Sequence, residues 1–94
     1  MTDRNDEGFL TDASAWTEDI ARDIAKELNI ELTPKHWEII TFLRAQHFAG
    51  VEMTIRKMAS AGIVDLKTFY HTFPGGPLKN SSKIAGLPRP TTCL

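Results

Sequence analysis

Thiols are scarce in this chain: Cys93 is the one cysteine among 94 residues. An internal disulfide is therefore excluded, and with it any fold stapled by bridges. Apolar runs last only a few residues, whereas a membrane-spanning helix needs roughly 20, so no membrane insertion is expected. The opening Met1-Thr2-Asp3-Arg4-Asn5-Asp6-Glu7 is acidic and no apolar stretch follows it; it does not read as an export signal, and a cytoplasmic location is expected. A phosphate-binding loop is missing as well, because Gly75-Gly76 lies between prolines and lacks the Lys-Ser/Thr that would hold phosphate and magnesium. His36 and His47 share one helix face but stand about 16 Å apart at 1.5 Å per residue. With the cysteine at a terminus, no zinc-type spacing exists. No metal and no cofactor are expected.

Hydrophobic residues make up 41% of the sequence, which suits one compact domain. A domain of this size buries only about two-thirds of its unfolded surface, so a deep, self-sufficient catalytic cleft is hard to build. Small carriers, binding modules and subunits of larger machines are the leading classes. The net charge of −1 hides an asymmetry: residues 1–32 hold nine acids against three bases, and residues 33–94 hold eight bases against three acids. A sequence pI near 6.3 does not favour direct nucleic-acid binding, although the basic surplus can serve an acidic partner.

Local signals predict a mainly α chain, a small helical bundle. Gly8-Phe9-Leu10-Thr11 is short enough for a turn with one strand of an N-terminal β-hairpin. Thr17 reads as a helix N-cap followed by Glu18 and Asp19, with Ile20, Ala21, Ile24, Ala25 and Leu28 on one face over residues 17–28. Thr33-Pro34 opens a second helix, through about Phe48, with Gly50 past its end. Trp37, Ile40, Phe42 and Leu43 give it an apolar surface. A third helix is expected over Glu52–Ala61 with Ile55, Met58 and Ala59 inward, and a fourth from the Asp65 cap with Leu66, Phe69, Tyr70 and Phe73 inward. Together with Gly62-Ile63-Val64 the last two resemble a helix-turn-helix, a shape many bundles contain without reading DNA. Trp16, Trp37, Phe42, Phe69, Tyr70 and Phe73 read as core rather than as a base-stacking platform.

Composition changes at Pro74-Gly75-Gly76-Pro77. Residues 1–78 are read as the helical body and 79–94 as a flexible C-terminal arm, in which Asn80–Gly86 can make one helical turn closed by Gly86 and Pro88 and Pro90 hold the chain extended. Free cysteines are usually buried, yet Cys93 is penultimate in a proline-spaced, polar, basic tail with little to bury it. The seven residues from Gly86 to Cys93 reach up to about 24 Å. An exposed thiol there keeps a pKa near the model value of about 8.5, so its activation falls to a partner's site. This arrangement suits a carrier.

Phe73-Pro74-Gly75-Gly76-Pro77, then Lys83-Ile84-Ala85-Gly86-Leu87-Pro88-Arg89-Pro90 and the penultimate Cys93, resembles the C-terminal signature of the DsrC/TusE family. Gly8-Phe9-Leu10 with Trp16, and Leu32-Thr33 with His36-Trp37-Glu38-Ile39-Ile40, resemble it too. The resemblance implies a helical fold with an N-terminal hairpin and an arm whose cysteine carries persulfide sulfur. It implies an upstream sulfurtransferase complex of the TusBCD or DsrEFH kind as donor, and a tRNA 2-thiouridylase or a sulfite reductase-like enzyme as acceptor. Lys83 and Arg89 would guide the arm into acidic entrances, and Pro88 and Pro90 would limit the entropy lost on ordering. Members with two arm cysteines form a trisulfide, the second cysteine lying where this chain has Ser82. A serine hydroxyl cannot replace a thiol in sulfur exchange, so the resemblance is to the TusE-type branch, which relays sulfur toward 2-thiouridine in tRNA. Two further departures bear on which partners fit: the Ala49-Gly50-Val51 segment is shorter than usual, and Thr92 replaces a small residue. The alternative function is a regulator or scaffold that binds a partner or DNA through the helix-turn-helix-like surface.

Overall fold

A computed structural model describes residues 3–90. Five helices follow in order: α1 (Glu18–Glu27), α2 (Pro34–Phe48), α3 (Ile55–Ala61), α4 (Leu66–Thr72) and α5 (Pro77–Ile84). The mainly helical reading holds. No strand forms among the described residues; the expected hairpin reduces to a turn with one antiparallel bridge, Arg4 to Leu10. The Asn5 side chain ties that turn by accepting from the N–H groups of Glu7 and Phe9 at 3.0 Å each, and the buried Phe9 and Leu10 pin it to the core.

The helix boundaries have local causes. At the start of α1, Thr17 accepts from the Ile20 N–H at 3.3 Å. Its end turns left-handed at Asn29 (φ 57°), so that the Ile30 N–H reaches back to Ala25 O at 2.8 Å and the Ile30 side chain folds into the core. The same device closes α2, where Gly50 (φ 80°) returns the Val51 N–H to Gln46 O at 2.9 Å. Helix α3 begins at Ile55 rather than at Glu52, because the Thr54 side chain accepts from the Lys57 N–H at 3.1 Å and fixes the start there. Asp65 caps α4 from a 2.7 Å contact with the Thr68 N–H.

Two expectations about inward faces are corrected. Ala59 is exposed, and on α4 only Phe69 and Phe73 are buried deeply, while Leu66 and Tyr70 remain 40% and 48% exposed. Leu66 stands in the first turn and Tyr70 lies about 100° around the helix from Phe69, so the core reaches only the side that carries Phe69 and the C-cap residue Phe73.

The larger correction concerns the proposed body–arm boundary at residue 79. Residues 77–84 form a full helix that packs against α1, α2 and α4, and Pro77, Leu78, Asn80, Ser81, Ser82 and Ile84 are all buried. Ile84, Ala85 and Leu87 belong to the main core with Ile24, Ile39, Leu43, Met58 and Phe69. Its polar members are satisfied locally: Asn80 Nδ2 donates to Pro74 O at 2.8 Å and Ser81 Oγ to Leu78 O at 3.2 Å. A third left-handed turn, at Gly86 (φ 74°), sends the Leu87 N–H back to Ser82 O at 3.0 Å. The chain leaves the body only at Pro88.

Candidate functional site

Cys93 lies outside the described residues, so the site is built from the arm's root and the surface it crosses. The root is clasped by two side chains. Trp16 Nε1 donates to Ile84 O at 2.8 Å. Arg44, from α2, donates to Ala85 O at 2.8 Å and to Ala13 O at 3.2 Å, while its guanidinium stacks 4.2 Å from the Trp16 ring centroid. The last carbonyls of α5, which have no intrahelical donors, thus receive donors from elsewhere in the fold. Burial lowers the Arg44 pKa from the ordinary arginine value, a cost offset by the two carbonyls and the ring face. Gly86 completes the clasp, because a Cβ there would stand 2.7 Å from Trp16 Cγ and 2.8 Å from Leu10 Cδ1.

Beyond the root, Leu87–Pro90 form one side of a cavity of about 330 Å³; Leu43 and His47 of α2, Gly50, Val51, Glu52 and Met53 of the following loop, and Ser82 of α5 form the rest. Ser82 is 5% exposed. Ser82 thus lines the same surface as Leu87–Pro90.

The remaining arm residues named from sequence occupy different settings. Pro88 is exposed and Pro90 partly buried along the cavity. Arg89 Nη1 pairs with Glu7 Oε2 at 3.0 Å, on the N-terminal turn. Lys83 belongs to α5 rather than to the extended segment, with its ammonium 5.1 Å from the Phe9 ring centroid. Burial lowers its pKa, and the neighbouring Lys79 and Arg4 charges lower it further. His36 has a structural position: its Nδ1 accepts from the Thr33 N–H at 3.1 Å, which leaves Nε2 to donate to Thr72 O at 2.7 Å and tie α2 to the end of α4. Among the described residues no group of three His, Cys, Asp or Glu could hold a metal ion, and no helix is long and apolar enough to cross a membrane.

Sequence reading missed the Trp16–Arg44 pair. Its signal was Arg44 itself, a cation one turn after Ile40 and one turn before Phe48 on an otherwise apolar helix face.

A family model described as DsrC like protein matches residues 1–94. The chain belongs to the DsrC-like family. It is 40% identical to the sulfurtransferase TusE homolog of Haemophilus influenzae over 96 residues, which cover 94% of this chain and 88% of that protein. Its structure is similar to the NMR structure of Allochromatium vinosum DsrC, with a TM-score of 0.84 and 34% identity over 99% of this chain and 90% of the other. The oxidized gamma-subunit of the dissimilatory sulfite reductase (DsrC) from Archaeoglobus fulgidus gives a TM-score of 0.83 and 36% identity over 99% and 92%. The DsrC-like chain thus shares its whole architecture, including α5 and the root of the arm, with proteins of sulfur metabolism.

Proposed function

We propose that this chain is a sulfur carrier in a cytoplasmic sulfur relay, and that Cys93 bears the sulfur as a persulfide. Family membership over the full length supports the relay role and sulfur-handling partners. The observation that carries the assignment to Cys93 is the clasped root: Trp16, Arg44 and Gly86 fix where the chain leaves the core, and the protein's one thiol stands six residues beyond Leu87, within about 20 Å of it at full extension.

In the transfer, the Cys93 thiolate attacks the terminal sulfur of a donor's cysteine persulfide. A new S–S bond forms on Cys93, the donor's S–S bond breaks, and its thiolate leaves. No net oxidation occurs, so no external oxidant or reductant is needed. Delivery repeats the exchange, the acceptor's thiolate attacking the outer sulfur of the Cys93 persulfide. With Ser82 in place of a second thiol, internal trisulfide formation is closed to this chain. A TusBCD-type donor and a tRNA 2-thiouridylase acceptor therefore fit better than a sulfite reductase-like acceptor. Arg89, Lys83, Pro88 and Pro90 act on docking and orientation of the arm. The regulatory alternative finds less support, since the exposed residues of α4 are Leu66, Lys67, Tyr70 and His71, with one lysine and none of the arginine, asparagine or glutamine side chains that read base edges bidentately.

The test is mass spectrometry after incubation with a TusBCD-type sulfurtransferase and a sulfur source. Wild type gains about 32 Da, the mass of one added sulfur on the oxidation-and-persulfide ladder of cysteine, and Cys93→Ser gains nothing. A wild type that stays unmodified beside a donor active on another carrier, or sulfur found on a different residue, defeats the reading.

A further inference from the structure

Exposed ion pairs are ordinary and weak, shifting an equilibrium by about fivefold at most. The pair between Arg89 and Glu7, at 3.0 Å, differs in what stands on either side of it. Glu7 belongs to a turn with a fixed backbone. The Asn5 side chain holds the Glu7 and Phe9 N–H groups, the Gly8 N–H returns to Asn5 O at 2.9 Å, and Arg4 Nε donates to Gly8 O at 2.8 Å. Phe9 and Leu10 then bury the far end of the turn. Arg89 stands between Pro88 and Pro90, whose rings fix φ and keep the residue before Pro90 extended. Two stiff segments thus meet through one charge pair, and little freedom is lost in holding it. The segment held is the one that walls the cavity opposite Leu43, Val51 and Met53. Both charged side chains are about half exposed, so a partner can reach the pair without unfolding anything.

Arg89 is also the one charged side chain from Leu87 to Leu94, four residues before Cys93, which places it within about 14 Å of the thiol along the chain. A cleft that takes in the arm as far as Cys93 must take in this charge or seat it at the mouth. A guanidinium drawn from water without a counter-charge is costly, so the cleft has to supply a carboxylate in place of Glu7. Glu7 is not stranded by the exchange. Burial lowers the Lys83 pKa and the Glu7 charge partly restores it, so a second cation stands in range of Glu7. We propose that Glu7 is a positioning residue for the carrier: it holds Arg89, and with it the start of the arm, against the N-terminal turn until a carboxylate at the mouth of the sulfur-relay partner's cleft takes Arg89 over. The proposal rests on the carrier reading of Cys93. Because two carboxylates compete for one guanidinium, Glu7 and Arg89 act on transfer in opposite senses. Removing the Glu7 charge lifts the competition, and removing the Arg89 charge removes what is competed for. The two ends of a merely structural contact would fail alike.

The experiment uses full-length protein and a TusBCD-type sulfurtransferase preloaded with ³⁵S by cysteine desulfurase. Transfer kinetics are measured for wild type, Glu7→Gln, Arg89→Gln, and the charge swap that combines Glu7→Arg with Arg89→Glu. Glu7→Gln is expected to lower the apparent KM for the carrier about threefold at low salt, the scale on which an exposed pair withholds the arm, with kcat unchanged. Arg89→Gln should raise KM about threefold. The swap re-forms the pair but sets a carboxylate against the partner's own, so its KM should rise about tenfold. At about 0.5 M salt, where screening reaches within a few ångströms, the gap between Glu7→Gln and wild type should close. A KM that Glu7→Gln leaves unchanged or raises, or that Arg89→Gln leaves unchanged, overturns the exchange of Arg89 between carboxylates and leaves the carrier reading intact. A swap that transfers like wild type shows that the pair matters and the partner's carboxylate does not, and overturns it too. Wild type that accepts no ³⁵S defeats the carrier reading, and the exchange with it.

Discussion

Gly86 and Gly62 have nearly the same backbone, φ 74° and 75°, but a Cβ at Gly86 meets Trp16 and Leu10 whereas one at Gly62 meets nothing within 4 Å. The pair separates strain from packing. Gly62→Ala should cost the backbone penalty alone, about 1 kcal/mol, and Gly86→Ala about 2–4 kcal/mol once the indole is displaced. Urea denaturation compares them, and equal losses would show that the Trp16 contact does not hold the root. A second residue-scale test falls on Ser82, which is buried beside Leu87–Pro90. Under mild oxidation Ser82→Cys should give a monomer cross-linked to Cys93 on non-reducing gels, since closing a loop of this length costs only about 3 kcal/mol. Wild type should give none. If the variant couples Cys93 to small thiols but never to itself, the thiol does not reach back to the cavity.

Truncation distinguishes the helix from the arm that follows it. Removing Thr91–Leu94 should leave helical content and melting nearly unchanged and abolish sulfur acceptance. Removing Ile84–Leu94 takes out Ile84, Ala85 and Leu87 from the core. At about 1.5–3 kcal/mol for each large apolar side chain, against a total stability of about 5–15 kcal/mol, that deletion should abolish cooperative melting in circular dichroism. The contrast explains how much was legible in the sequence. Helices α1 and α2 announce themselves through Thr17 and Thr33-Pro34, caps that act within one turn, and the apolar spacing behind those caps follows the helical period. Helix α5 opens on Pro77 as α2 does on Pro34, but Gly76 before it supplies no capping side chain. Its buried Asn80, Ser81 and Ser82 look like loop composition, because small polar side chains that find a nearby carbonyl, as Asn80 finds Pro74 O and Ser81 finds Leu78 O, can pack as closely as apolar ones and periodicity does not register them. Cys93 was conspicuous from position alone; the clasp around the arm's root was not, since Trp16, Arg44 and Ile84 meet only through the tertiary fold.

Across the whole molecule, the acidic first third and the basic remainder meet within the fold: Glu7 pairs with Arg89 at 3.0 Å. Within the first third, Arg4 holds Glu27 through bonds of 2.7 and 3.0 Å. Hydrogen bonding from Arg4 lowers the Glu27 pKa below the usual carboxylate range. A carboxylate with a lowered folded-state pKa adds stability above its unfolded value, near 4.3, and loses it as pH falls through the folded value. Both side chains are partly exposed, so the pair contributes at most about 1 kcal/mol. Arg4→Gln should therefore lower the melting temperature at pH 7, and the difference from wild type should close as pH falls below about 4; a gap unchanged down to pH 2.5 would assign the loss to something other than this pair. The clasped root has a further consequence for rate. If Cys93 carries the sulfur, a thiol tethered within about 20 Å of Leu87 is confined, once carrier and partner have met, to a local concentration of millimolar order or higher. Sulfur exchange then behaves as a reaction within one assembly, so carrier abundance sets how often partners meet and has no say in how fast the sulfur moves once they have.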